Sequence, residues 1–214
     1  ELNLLEGRLA FQRGEFAKAA AYLQNAQSMP QGDGEATVFF GVTLVRLGRY
    51  DEAGPLLLDT LVHPSWSGWG WLYLGELRRR QERYDDAFEN FPKALRDFKA
   101  QTGSRARFST LYAEWALTFA ARHGWDHPRV MASLETGRDE GDSDDPELNE
   151  VFADYYLKRR SPDSAAAARY LNKVIQVAPY RCAAVKQLLS LRGAVDDRRK
   201  AELNEILTSR CVTP

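Results

Sequence analysis

The amino-acid sequence predicts an all-α fold, a solenoid of about five stacked helical hairpins, and two observations carry that prediction. The first is a period of 34 residues: Gly7, Gly41 and Gly75 recur at that interval, as do Ala19, Ala53 and Ala87. The ring positions Phe16, Tyr50 and Tyr84, the large apolar Leu23, Leu57 and Phe91, and the small Ala26, Thr60 and Ala94 keep the same register. A fixed period between about 20 and 50 residues marks stacked supersecondary units, none of which buries its apolar face alone. The second observation is that each period reads as two helical segments joined by a tight turn. Glycine and alanine recur where paired helices must approach closely, since a larger side chain would push the backbones apart.

In the third unit the first helix is expected over 69–82 and the second over 85–99. The turn aromatic is followed by acidic and small residues, as in Tyr50-Asp51-Glu52-Ala53, and acidic residues suit the positive end of a helix dipole. Past residue 101 the register breaks while the helical pairing persists. A helix is expected over 105–122, ending at Gly124, and another to about Arg138, with Asp126 or His127 as its cap and Pro128 in its first turn. Asp145-Pro146 and Ser161-Pro162 read as the same start signal, a capping residue followed by proline at the first helical position. They open helices over 146–160 and 163–178, the second stopped by Pro179. A last pair covers about 180–192 and 196–209. The total is about ten helices in five pairs. Pro30 and Pro64 are expected to end the second helices of units one and two. Pro55 sits early in its helix, and Pro92 falls mid-helix and should kink it.

The third unit, Trp71-Leu74-Gly75…Tyr84…Ala87…Phe91…Ala94, resembles a tetratricopeptide repeat, with Lys99 where that pattern closes on proline. The second unit keeps Gly41, Gly48, Tyr50, Ala53 and Leu57 but has Thr37 in place of the tryptophan. The first keeps Gly7, Gly14, Phe16, Ala19, Leu23 and Ala26, with Asn3 there. The resemblance covers residues 1–101 as three regular repeats. Residues 102–214 follow as irregular hairpins with a capping hairpin at the C-terminal end. It implies a right-handed solenoid and a non-catalytic protein-interaction module, whose concave face is lined by the first helix of each pair.

At the family's inner positions stand Leu4, Arg8 and Phe11, then Glu35, Val38, Val42 and Val45, then Trp69, Leu72, Glu76 and Arg79. The resemblance therefore implies a partner peptide or helix docking on Phe11, Val38, Val42, Val45, Trp69 and Leu72, with Glu76 and Arg79 setting register. The alternatives are that a neighbouring segment or a further repeat fills this strip, or that the chain is a structural or oligomerisation segment of a larger multidomain protein. The Lys and Asn clamp with which some members grip a C-terminal carboxylate has no counterpart, because Leu4, Arg8 and Phe39 stand there.

Composition narrows the classes further. With 44% apolar and 28% charged residues and a net charge of −1 (22 Arg, 7 Lys), the 214-residue chain reads as folded,. The near-neutral balance argues against nucleic-acid binding driven by bulk charge, and no apolar run is long enough to insert in a membrane. The chain opens at Glu1 without an initiator Met, as expected of a processed product or an excised fragment.

No residues combine as nucleophile, base and oxyanion donor, so no enzyme and no cofactor is expected. His123 and His127 have a metal-ligand spacing but are separated by Gly124 and lack a third ligand. The run Asp139 to Asp145 lacks the spacing of a calcium loop and reads as an interhelix loop ending in an N-cap. Arg78, Arg79, Arg80 and Arg83, with Arg105 and Arg107 further on, form a basic cluster open to an acidic peptide. The bland reading is a solvated face with intrahelical pairs such as Glu76 with Arg80. Of three clustered tryptophans, Trp71 is assigned to the core. Trp66 and Trp69 are assigned either to packing between repeats or to anchoring a partner. Oligomeric state is not legible.

Cys182 and Cys211, the two cysteines, lie symmetrically about the turn of the last hairpin, within reach of a disulfide. Such a bond would stabilise that hairpin by roughly 2–4 kcal/mol. It would favour a periplasmic or secreted setting, where free thiols would fit the cytoplasm.

Overall fold

The computed structural model describes residues 2–27, 34–103, 105–191 and 193–211, whose regular elements are all helices, with no strand among them. The helices are α1 (Leu2–Gln12), α2 (Phe16–Gln27), α3 (Gly34–Arg46), α4 (Tyr50–Asp59, continued by a 3-10 turn at Thr60–Val62), α5 (Ser67–Arg80) and α6 (Tyr84–Lys99). They continue as α7 (Ala106–His123), α8 (Pro128–Glu140), α9 (Pro146–Lys158), α10 (Ser164–Val177), α11 (Cys182–Ser190) and α12 (Asp197–Arg210). Each pair expected from the sequence is present, and among the described residues the pairs make six hairpins where about five are expected. Two compact units divide the chain, Glu1–Ser104 and Arg105–Pro214.

In the first unit each helix packs on the next, and α3 also touches α1 and α5. The three hairpin turns share one set of hydrogen bonds. The amides of Gly14, Gly48 and Glu82 donate to the carbonyls of Phe11, Val45 and Arg79. Those of Glu15, Arg49 and Arg83 reach back to Ala10, Leu44 and Arg78 at 2.8–2.9 Å. This pair of bonds is a Schellman closure, which requires a left-handed residue just past the helix. Gly14 (φ 76°), Gly48 (φ 77°) and Glu82 (φ 60°) supply it, Glu82 being the one described non-glycine residue at positive φ. The next residue's carbonyl already accepts from the following helix, as in Arg49 to Ala53, so two residues turn the chain.

The helices of each hairpin meet at the recurrent glycine. A Cβ on Gly7 would stand 2.6 Å from Leu23 Cγ, and one on Gly41 2.7 Å from Leu57 Cδ2. On Gly75 it would meet the Phe91 ring, with Cδ1 at 2.9 Å. Real Cβ contacts are longer, so only glycine allows this approach. Ala19, Ala53 and Ala87 are fully buried beside it, as are Leu23, Leu57 and Phe91.

In the second unit the start signals cap as expected at two of three places. His127 Nδ1 accepts from the Arg129 amide (3.3 Å) and Asp145 Oδ1 from Leu148 (2.9 Å), each with proline next in the helix. The third cap moves from Ser161 to Asp163, whose carboxylate accepts from the Ala166 amide at 2.8 Å. Pro162 therefore precedes the helix instead of opening it, because Asp163 is the residue placed to reach the first-turn amides,. Pro55 lies beyond the first turn of α4, and α6 runs through Pro92 to Lys99. Pro64 follows the 3-10 turn, while Pro30 lies outside the described residues.

Leu134, Leu148 and Phe152 centre one core of this unit, and Leu171, Val174, Val185, Leu188 and Leu203 another. Cys182, at the start of α11, and Cys211, just past α12, are bonded, with sulfurs 2.13 Å and Cα atoms 5.7 Å apart. The bond closes the ends of the last hairpin, where α12 fully buries Leu203 alone.

Glu82 holds a backbone region that costs an L-residue about 1 kcal/mol and glycine nothing. Glu82→Gly is expected to raise the urea midpoint by an amount equivalent to about 0.5–1 kcal/mol, and Gly48→Ala to lower it comparably. The measurement is chemical denaturation followed by circular dichroism.

Candidate interaction surface

The residues expected to line a groove divide by burial. Val42, Val45 and Leu72 are fully buried and Val38 is 2% exposed, while Phe11, Trp69 and Arg79 are half-buried. The four aliphatic residues are thus core. Their helices explain it: α3 packs against α1, α2, α4 and α5 together, and α5 against α3, α4 and α6. A face that looks free on a single hairpin is covered once hairpins stack. Alanine at Val42 or Leu72 would open a cavity rather than trim a docking surface.

The half-exposed side chains on these first helices are a different set. Arg8 Nη1 pairs with Glu35 Oε1 at 2.7 Å, and its guanidinium sits 5.4 Å from the centre of the Phe39 ring. Phe39 meets Phe11 edge-on at 5.8 Å, and Phe11 meets Phe16 at 5.5 Å. One repeat on, Trp69 stacks on Tyr73 at 5.8 Å and turns its edge to Phe98 at 5.2 Å. Phe39 does not stand out in the sequence as a surface residue, while its counterpart one repeat on, Tyr73, is buried. Phe39 lies one position past the expected inner residue Val38, and a sequence period cannot resolve a rotation of one residue about the helix axis.

Glu76 has no exposed surface. Its Oε1 lies 2.8 Å from Arg80 Nε, one turn on along α5, and 2.8 Å from Arg46 Nε on α3. Burial alone would raise its pKa, but Arg46, Arg80 and Arg79 together outweigh burial and hold the carboxylate below its usual range. Glu76 is therefore an ionised link between two repeats, not a surface selector.

The basic cluster is engaged internally. Besides Arg80, Arg78 donates to Gln81 at 2.9 Å and Arg83 pairs with Asp86. Arg105 donates to the carbonyls of Glu140 and Asp139. Trp66 packs against the start of α3, where a Cβ on Gly34 would stand 2.9 Å from its Cγ, so it joins two repeats. Trp71, assigned to the core from its position, is only half-buried and is covered by Lys93 Nζ at 4.4 Å from its ring.

The acidic loop is pinned. Ser109 Oγ accepts from the Asp142 amide and donates to its carbonyl, while Asn149 Nδ2 donates to the carbonyls of Ser143 and Asp145. His123 and His127 stack on each other at 4.8 Å, His127 also on Phe119, and no cluster of metal-ligating side chains occurs among the described residues. Beside them Tyr112, Trp115, Phe119 and Arg129 line a hollow of about 260 Å³. The Tyr112 hydroxyl donates to Glu140, and burial together with that carboxylate pushes its pKa up to about 12. Among the described residues no helix is long and apolar enough to cross a membrane.

The tetratricopeptide repeat family model matches residues 4–68. Among solved structures, a thermophilic TPR protein from Thermus thermophilus is similar with a TM-score of 0.68 at 20% identity, covering 88% of this chain and 96% of that one. The pilF protein of Pseudomonas aeruginosa is similar with a TM-score of 0.56 at 17% identity, covering 97% of this chain and 89% of its own. At these identities the likeness speaks for the fold alone. No curated protein matches the sequence significantly.

Removing the Glu76 charge leaves Arg46 and Arg80 facing each other across the repeat boundary. Glu76→Gln is expected to cost about 2–3 kcal/mol at pH 7, below the full range for a buried pair because both arginines keep some solvent contact. The folded-state pKa lies below the ordinary 4.5, so the wild-type advantage is complete above that value and is lost as pH falls through the depressed one. Denaturation at about pH 7 and about pH 3 should show the gap between wild type and variant closing in acid; a constant gap would contradict it.

Proposed function

We propose that this chain, a tetratricopeptide repeat protein, is a non-catalytic interaction module whose first unit receives a peptide or helix of a partner protein. The repeat fold supports the general class, a protein-interaction or scaffold module. The finer reading rests on one observation: rings and charges alternate along the exposed side of successive first helices. Phe11, Phe39 and Trp69 each keep part of a ring in solvent. Arg8 and Glu35 flank Phe39, and Arg46 stands two turns beyond it on the same side of α3.

Half-buried aromatic side chains held by neighbours are good anchors, because docking on them loses little conformational freedom. Arg46, Arg79 and Arg80 stand about the buried carboxylate of Glu76, so guanidinium groups border that end of the surface. A matching segment carries an apolar side chain for Phe39 and Trp69 and an acidic one about two helical turns away. Val38, Val42, Val45 and Leu72 shape the surface from beneath without touching the partner.

A photo-crosslinking amino acid placed at Phe39 or Trp69 in the cell of origin is expected to capture a defined polypeptide. One placed at Glu89, exposed on α6, serves as the control. Equal capture from all three positions, or capture from Glu89 alone, would place the binding surface elsewhere.

A further inference from the structure

Helices α8 and α10 both pack on α9, and a cavity of about 270 Å³ opens between them. Its floor is buried: Phe152 and Asn149 of α9 are each 1% exposed, and the Asn149 amide is taken up by the carbonyls of Ser143 and Asp145. Two half-buried rings complete that side. Tyr170 of α10 stacks on Phe152 at 4.5 Å and on Tyr156 at 5.7 Å, in planes within 7° and 16° of parallel. The lining is thus aromatic on one side, a surface that a further ring can pack against.

The mouth is cationic. Arg138 of α8 and Arg169 and Lys173 of α10 are exposed and line it, and among the described residues no acidic side chain does. Arg169 and Lys173 lie one turn apart, where like charges repel, and Arg138 joins them across the cavity by donating to the Tyr170 hydroxyl. Carboxylates outside the lining offset part of this charge. Arg138 meets Asp139 at 3.1 Å, with Glu135 a turn behind it, and Lys173 meets Asp144 at 3.6 Å. Both aspartates are about two-thirds exposed, and pairs so open to solvent hold their partners weakly. Arg169 pairs with no carboxylate among the described residues.

Size and charge narrow what fits. Cavities that take whole drug-sized molecules run to about 300–1,000 Å³, so this one has room for a single ring and one charged group. A guanidinium fork matches the two oxygens of a carboxylate. One negative charge also answers the one cation without a partner and relieves the repulsion between Arg169 and Lys173.

We propose that the cavity between α8 and α10 binds a small aromatic acid, its carboxylate at Arg169 and Lys173 and its ring against Tyr156 and Tyr170. Such an acid is either a free molecule or the last residue of a polypeptide, and the chemistry at the cavity is the same. The site uses none of the residues proposed above for the partner.

The test titrates the 214-residue chain with phenylacetate, followed by calorimetry and by amide NMR. Saturable binding is expected, with shifts concentrated on α8, α9 and α10. Acetate, which lacks the ring, and phenylacetamide, which lacks the charge, are expected to bind about tenfold or more weakly. Arg169→Gln is expected to weaken phenylacetate by a similar factor and to leave the thermal melt unchanged, since that side chain is exposed. Arg160→Gln, at an exposed arginine outside the cavity, should leave the affinity as it is. N-acetylphenylalanine separates the two sources: tighter binding than phenylacetate assigns the acid to the end of a polypeptide, and equal or weaker binding assigns it to a free molecule. No saturable binding up to about 10 mM, equal binding of phenylacetamide, or parental affinity in Arg169→Gln overturns the proposal. Tighter binding of phenyl phosphate than of phenylacetate would equally overturn the assignment to a carboxylate.

Discussion

The architecture of the first unit depends on one contact repeated three times, a glycine on the first helix of a hairpin against a large apolar side chain on the second. Gly7 meets Leu23, Gly41 meets Leu57 and Gly75 meets Phe91, at distances that leave no room for a methyl group. Because the backbones are this close, the adjacent Ala19, Ala53 and Ala87 are sealed from solvent. Interiors packed at crystal-like density do not yield readily to extra volume. The contact therefore sets the separation of the paired helices, and that separation determines how the next hairpin can stack.

Stacking then decides which side chains have a function open to them. It buries Val38, Val42, Val45 and Leu72, and it encloses Glu76, whose charge is retained because Arg46 reaches it from the neighbouring repeat and Arg80 from its own helix. It leaves rings and charges at Phe11, Phe39, Arg8, Glu35 and Trp69 at the surface. The second unit reaches stability by other means: aspartate and histidine caps, a loop tied by Ser109 and Asn149, and the disulfide of its last hairpin.

Much of this is legible in the residues. The 34-residue register locates the hairpins and the close glycines, the four-residue spacing predicts the pairing of Glu76 with Arg80, and symmetry about the last turn pairs the cysteines. Three features are not so plain, each for a physical reason. Which part of a first helix stays exposed depends on the next hairpin, so the register points to Val38 where the surface carries Phe39. The cap falls on Asp163 and not on Ser161 because the choice between nearby acceptors is made by local geometry. Glu82 stands at the period position of Gly14 and Gly48, so the αL turn there is within reach of the register alone, but a glutamate carries no signal of its own for it.

The central claim, that contact between glycine and a large side chain spaces the helices, is tested by a double-mutant cycle on Gly41→Ala and Leu57→Ala. Alanine at Gly41 should destabilise the protein even though it is the better helix former by about 1 kcal/mol, and Leu57→Ala should cost about 2–5 kcal/mol through its cavity. The account predicts that the double variant is less destabilised than the sum by about 1 kcal/mol or more, because the added methyl fills space the truncation opens. Strict additivity, or a Gly41→Ala variant more stable than wild type, would contradict it.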